Sequence, residues 1–582
     1  MRFSRKIHFL WTILFSVVGR GWGQEAADFA RFEGEPGQRG GKLVVAQRAE
    51  PKTLNPVAPV DRPSRDVIQR MTADLIHINR YTQKTEPALC KSWKASPDGK
   101  SFTLKLRRGV RFSDGVPMDA DDVVFSFRVY LDENVHSPQR DLLLISGKPI
   151  SVEKLDAYTV RFLFPSPYAA AERVFDGFAI LPRHLLEKDY AEGKIMQDWS
   201  LATSPEKIAG LGPFRLKQFV AGDRIVLERN PYYWRVDTKG ERLPYLNELI
   251  FLTVPNQDAE VVRFQAGDTQ AISGLSAENF ANLAKMQQSN GYKLLDAGPG
   301  LEYNFLLFNL NDDTEGRYPE IARRQHWFED LSFRQAVSFA IDRAAMVRLV
   351  FGGRGAPLAS QVTPGNKLWV DSALQAPVQS IEEAKNLLRK SGFSWKQDGG
   401  LIDRQGGPVE FTILVNSSNA QRAQMAALIQ DDLKKIGMNV QIVSLEFRSW
   451  LDRITKSHEY ETALMGLGSP DVDPTPGMNV WVSSGQTHLW HLGEKKPATP
   501  WEAEIDRLMD KQLITVNYRE RKKLYDRVQE IIAEQKPMIF LASPNILTGA
   551  QSALRNFRPA IIDNYILWNA DELYWPDHGR TP

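Results

Sequence analysis

The chain has 582 residues, 42% of them apolar and 25% charged, with a formal charge of +2, an ordinary globular composition too long for one core. A balanced charge without a long basic run excludes the electrostatic footprint of a nucleic-acid binder. The only cysteine, Cys90, excludes an intrachain disulfide framework. At the N-terminus Arg2, Arg5 and Lys6 precede the apolar run Ile7 to Val18, and Gly21-Trp22-Gly23 supplies small residues where a signal peptidase needs them, so residues 1–23 read as a secretory signal. The alternative, a retained anchor, is disfavoured because about a dozen apolar residues fall short of a bilayer core of ~30 Å. Loss of Arg2, Arg5, Lys6 and Arg20 with the signal takes the formal charge from +2 to −2. No cysteine follows the signal to carry a lipid, so an unanchored periplasmic protein is expected.

Lys42 to Ala46 reads as a strand, followed by a loop through Thr53-Leu54-Asn55-Pro56 and a helix from Ser64. Phe102, Leu104 and Leu106 alternate with Thr103, Lys105 and Arg107 as a half-buried strand does. Pro97-Asp98-Gly99 supplies the turn chemistry of a hairpin into it, and Ser113-Asp114-Gly115 makes a second turn. Asp119, with Asp122 three residues on, precedes the helical run Val123, Val124, Phe125, Phe127 and Tyr130 as an N-cap would. Gly210 to Leu216 and Asp223 to Trp234 read as a glycine-proline entry, an alternating strand and an Asn-Pro turn. Phe333, Ala336, Val337, Ala340 and Ile341 recur at helical spacing. Ile381 to Lys390 is a helix stopped by Ser391-Gly392. Phe411 to Val415 is a strand, and Gln421 to Lys435 the helix after it.

Three of these blocks, residues 87–127, 210–234 and 328–343, resemble in residue order the bacterial extracellular solute-binding proteins of family 5, the oligopeptide- and dipeptide-binding group of ABC importers. The resemblance implies an α/β, two-lobed periplasmic binding protein fold of type II, with an extra subdomain and a ligand cleft between the lobes. It divides the chain into lobe 1 (24–64, 181–303 and 541–582), the subdomain (65–180) and lobe 2 (304–540). It further implies a monomeric carrier without a cofactor, whose partners are a peptide or peptide-like ligand and the ABC permease subunits of the inner membrane. A secreted hydrolase is the alternative of another class. No Gly-x-Ser-x-Gly elbow, His-Glu-x-x-His helix, P-loop or plausible cysteine nucleophile supports it.

By the same resemblance, Glu461 to Pro474 lines the cleft, and Gly466, Leu467, Gly468 and Ser469 offer backbone to a peptide as an added strand. Peptide-binding relatives carry Trp after the glycine and Asp four residues beyond it, where this chain has Leu467 and Pro470. Asp471 or Asp473 is expected to take over the ammonium, the alternative being a turn cap against Pro474. Asn416 and Ser417 face the cleft or serve as caps, and Phe447 and Trp450 form an aromatic wall or core. Trp481, Trp490 and Trp501 either staple a loop or make a stacking platform, which would favour an oligosaccharide. His488 and His491, with no carboxylate or cysteine beside them, fall short of a metal site.

Overall fold

The computed structural model describes residues 27–576, except 59, 60, 146, 470 and 564; the expected signal, residues 1–23, lies outside them. Two large sheets organise the chain. The first runs in the order Phe214–Val220, Arg224–Arg229, Glu248–Thr253, Lys42–Gln47, Ala271–Ser273, Ala542–Gln551, Tyr292–Pro299. Lys42–Gln47 pairs in parallel with both of its neighbours, Phe214–Val220 and Arg224–Arg229 form an antiparallel hairpin, and Tyr292–Pro299 pairs antiparallel with the distant Ala542–Gln551.

The second sheet has five strands, in the order Asn439–Leu445, Glu410–Asn416, Thr462–Gly468, Glu302–Phe308, Met538–Phe540. Along Glu302–Phe308 successive side chains divide between two cores. Leu306 and Phe308 pack on one face, and Tyr303, Phe305 and Leu307 on the other, as expected of a sheet covered on both sides. The chain passes between the two sheets at residues 299–302 and again at 540–542. These crossings lie side by side, with Gly300 N donating to Pro544 O at 3.0 Å and Leu541 N to Asn304 O at 2.9 Å.

A four-stranded antiparallel sheet, Cys90–Ala95, Ser101–Leu106, Thr159–Leu163, Ser151–Asp156, forms a smaller unit. The expected hairpin joins its first two strands, with Gly99 at φ 67° in the turn. Helix Ala120–Leu131 carries a full capping box: Asp119 accepts from the first turn while Asp122 accepts from the Asp119 N–H. The helix expected around residues 328–343 is two helices, Pro319–Glu329 and Leu331–Ala340. Asp330 breaks the run and caps the second through Ser332 N. Gly212 packs on backbone: a β-carbon there would sit 2.4 Å from the Met71 carbonyl carbon, which accounts for glycine in the Gly-x-Gly-Pro entry.

Candidate functional site

The smaller unit docks on the second sheet's layer. Gln83 Nε2 donates to Gly365 O at 2.8 Å and its Oε1 accepts from Lys367 N at 3.2 Å. Ala169 N donates to Leu513 O at 2.8 Å. Arg173, on helix Ala171–Val174, grips Asp471 with Nε and Nη2. Arg80 pairs with Asp176 at 2.7 Å, and Asp473 with Arg521, so charges of opposite sign alternate along this seam.

Strand Thr462–Gly468 leads into the seam. Its parallel ladder with Glu410–Asn416 pairs only Thr462 and Ala463, whereas the antiparallel ladder with Glu302–Phe308 continues to Gly468. Residues 464–468 therefore have a strand neighbour on one side only. Leu467, Gly468, Ser469 and Asp473 line a cavity of about 150 Å³ with Tyr303, Gln361, Asn366, Trp481 and Tyr525. Nothing lies within 4 Å of where a Gly468 side chain would begin, but at Gly466 that atom would meet Arg422 Nη2 at 2.1 Å. Arg422 is held over the glycine by Asn304 Oδ1 and Glu302 Oε1, both at 3.0 Å.

The two acids expected to anchor an ammonium are both engaged. Asp471 is bound by Arg173 and also accepts from Val472 N at 2.7 Å. Asp473 receives two parallel bonds from Arg521, at 2.6 and 2.7 Å, and a third from Thr475 N at 2.9 Å. Burial opposes the Asp473 charge, but Arg521 outweighs it and holds the carboxyl below its ordinary range. Asn416 accepts from Ser418 N and Oγ as a local cap, and Ser417 N donates to Leu445 O. Trp450 is core, with the half-exposed Phe447 ring stacked on it at 5.9 Å; neither lines the cavity. Trp481 and Trp490 are buried among core residues. They staple the loop; Trp490 is kept from the cavity, whereas Trp481 also forms part of its wall. The expectation that no carboxylate stands beside His488 is corrected: Glu494 and Glu502 lie 3.4 and 3.8 Å from its Nε2.

Sequence reasoning missed two further chambers. One of about 380 Å³ is walled by Arg31, Arg70, His77, Arg80, Arg107, Arg235 and Asp571. Arg70 is 6% exposed, and its Nε and Nη1 have no hydrogen-bond partner. Burial lowers its pKa. Asp66 and Asp571 act on its charge without hydrogen-bonding those two nitrogens, which leaves them as donors for an anionic group. The other chamber, of about 300 Å³, opens where strands Lys42–Gln47 and Ala271–Ser273 end, and is lined by Arg48, Arg62, Asp66, Glu260 and Tyr565. Burial pushes the Asp66 carboxyl up to about 6 against the pull of Arg62. The sequence predicts a helix from Ser64 without saying which face is inward, and only the fold turns Arg70 inside.

The description of bacterial extracellular solute-binding proteins, family 5, matches residues 84–488. The chain belongs to this family. It is 28% identical over 531 residues to a probable ABC transporter-binding protein of Deinococcus radiodurans, spanning 88% of each chain. It is 27% identical over 528 residues to the oligopeptide-binding protein AppA of Bacillus subtilis, again 88% of each. The solved structure of Bacillus subtilis AppA in complex with a nonapeptide is similar with a TM-score of 0.66 at 25% identity, covering 93% of this chain and 100% of that one. The substrate-binding protein CtaP of Listeria monocytogenes is similar with a TM-score of 0.74 at 24% identity, with the same coverage. The fold is thus the two-lobed α/β fold of the family 5 solute-binding proteins. Among the described residues no helix is long and apolar enough to cross a membrane.

Proposed function

We propose that this family 5 protein captures a peptide or peptide-like solute between its lobes and hands it to the permease of an ABC importer. The observation that carries the peptide reading is the one-sided pairing of residues 464–468 beside a cavity: extended backbone with a vacant edge takes a peptide as an added strand. Lobe 1 comprises residues 24–64, 181–303 and 541–582, lobe 2 residues 304–540, and the subdomain residues 65–180. The paired crossings near 299–302 and 540–542 act as the hinge. The protein works as a periplasmic monomer, unlipidated after loss of residues 1–23, and it releases its ligand chemically unchanged.

Asp471 and Asp473 are committed to arginines, so the ligand's amino terminus is not anchored by this loop. Arg70 walls a separate chamber, with no lining residue in common with the cavity beside 464–468, and is the seat for an anionic group such as a peptide carboxylate reaching beyond that cavity. Calorimetric titration with one peptide in free, N-acetylated and C-amidated forms tests this. Acetylation is expected to leave affinity unchanged, and amidation to weaken it by about ten- to a hundredfold, the equivalent of a charged hydrogen bond of ~1.5–3 kcal/mol. The reverse pattern would restore Asp471 as the ammonium anchor, and failure of every peptide would overturn the ligand class.

A further inference from the structure

Between helix Met478–Trp481 and helix Pro500–Ile514 the chain runs through residues 482–499 without a strand or helix. A loop of this length inside a compact lobe needs something to hold it. Its centre holds His488, fully buried, with Nδ1 at 3.2 Å from the carbonyl oxygen of Val480. That contact places the proton on Nδ1 and leaves the Nε2 lone pair facing inward, the tautomer of a metal-ligating imidazole. What Nε2 faces is two carboxylates: Glu494 Oε2 at 3.4 Å and Glu502 Oε1 at 3.8 Å.

Three electron-pair donors thus converge from His488, Glu494 and Glu502, all within 4.8 Å of one another. The Glu494 side chain is 4% exposed, and neither of its oxygens, nor His488 Nε2, makes a hydrogen bond of normal geometry. A shared proton would draw an N–H and a carboxylate to about 2.7–2.9 Å, shorter than either separation. Ligand atoms around a tetrahedral zinc, at ~2.0–2.2 Å from the metal, stand about 3.3 Å apart, close to the His488–Glu494 distance. His491 Nδ1 lies 3.8 Å from the other Glu494 oxygen, Oε1, while its Nε2 meets Asp312 Oδ2 at 3.1 Å. The surroundings hold the ligands in place: Trp490 Nε1 donates to Glu502 Oε1 at 2.9 Å, and Thr499 N and Oγ1 donate to Oε2 at 2.9 and 2.8 Å.

The other grouping of this type, Asp74, His77 and Asp176, makes the contrast. There Arg80 supplies a cation at 2.7 Å, and Ile78 N and Gly177 N donate to the acids at 2.8 and 3.0 Å. That grouping is already neutralised and hydrogen-bonded; in the loop only Glu502 is hydrogen-bonded, and Glu494 and His488 Nε2 are not.

We propose that His488, Glu494 and Glu502, with His491 beside them, form a structural site for a divalent transition-metal ion of the zinc type, which ties the 482–499 loop to the helix Pro500–Ile514. The site is separate from the ligand cavities and independent of the ligand's identity. The test is a Zn²⁺ titration of the chelator-treated full chain against a competing indicator dye, with thermal melting alongside. One equivalent should bind and raise the melting temperature. Glu494→Gln, which keeps the side-chain volume, should weaken binding by at least the 10- to 100-fold that loss of even an outer-shell partner costs. A Co²⁺-loaded parent should show the intense visible absorption of a four-coordinate site, a readout that needs no variant to fold. Absence of stoichiometric binding, affinity unchanged in Glu494→Gln, or only the weak absorption of octahedral Co²⁺ would each overturn the proposal.

Discussion

Replacing Asp473 with Asn separates a structural acid from a ligand-binding one. The Asp473 and Arg521 side chains are 3% and 5% exposed and share two parallel hydrogen bonds. Arg521 also donates to Gln512 and lies 4.8 Å from the centre of the Trp369 ring, so it cannot swing out to water without dismantling its surroundings. Asp473→Asn conserves shape and removes the charge, leaving the guanidinium buried and uncompensated, at a cost of ~3–5 kcal/mol. At ~2–4 °C per kcal/mol for a domain of this size, the melting temperature should fall by about 6–20 °C. Because the native carboxyl is depressed, its stabilisation is present above the unfolded pKa of ~3.9 and is lost as pH falls through the lower folded value. The gap between parent and variant should therefore be widest near neutrality and close below about pH 4. Thermal melts across that range, with ligand titrations at neutral pH, make the assay. A variant that melts with the parent but binds peptide at least about tenfold more weakly would refute the reasoning and return Asp473 to the ligand.

Asp471→Asn cuts the Arg173 contact across the seam between subdomain and lobe 2, with both side chains 13% exposed. Loss of ~1.5–3 kcal/mol from the closed form should weaken ligand binding about ten- to a hundredfold. Small-angle scattering should then show a larger radius of gyration at subsaturating ligand; unchanged affinity and radius would rule out a part for the Arg173–Asp471 contact in closure. Gly466→Ala would drive a methyl group into Arg422 and is expected to cost ~1–3 kcal/mol by overpacking. Its pairing with Arg422→Ala should recover much of that in denaturant melts, and an additive double variant would argue against the contact. Burial lowers the His77 pKa, but Asp176 and Asp74 outweigh it and raise it to about 9. Its stabilisation is therefore complete below the unfolded value of ~6.5 and lost as pH rises through about 9. The stability difference between the parent and His77→Gln should shrink across that window, and a difference that grows would contradict the assignment.

The parts of this structure legible in the sequence are those written locally. The turn at Pro97-Asp98-Gly99, the Asp119–Asp122 capping box and the Ser391-Gly392 stop each involve residues a few positions apart, and each forms as expected. The period of the apolar residues set the helical face of Leu331–Ala340 but not its start, because Asp330 caps one helix while following directly on another. Side-chain commitments over long separations were not visible. Asp471 meets Arg173 from 298 positions away, so an acid that looked free for a ligand is already neutralised. The His488 pair looked incomplete for the opposite reason: Glu494 and Glu502 come back beside it only once the loop folds over the helix that follows. Arg70 escaped notice because its place on an inward helix face is set by tertiary packing rather than by residue type.

The claim that this chain is a peptide carrier is tested most directly by what it carries. Native mass spectrometry of the protein released gently from the periplasm, followed by dissociation and sequencing of the bound mass, should give a one-to-one complex with peptide or peptide-like species. A one-to-one complex with an oligosaccharide, or a protein that emerges empty and is saturated only by sugars, would contradict the account.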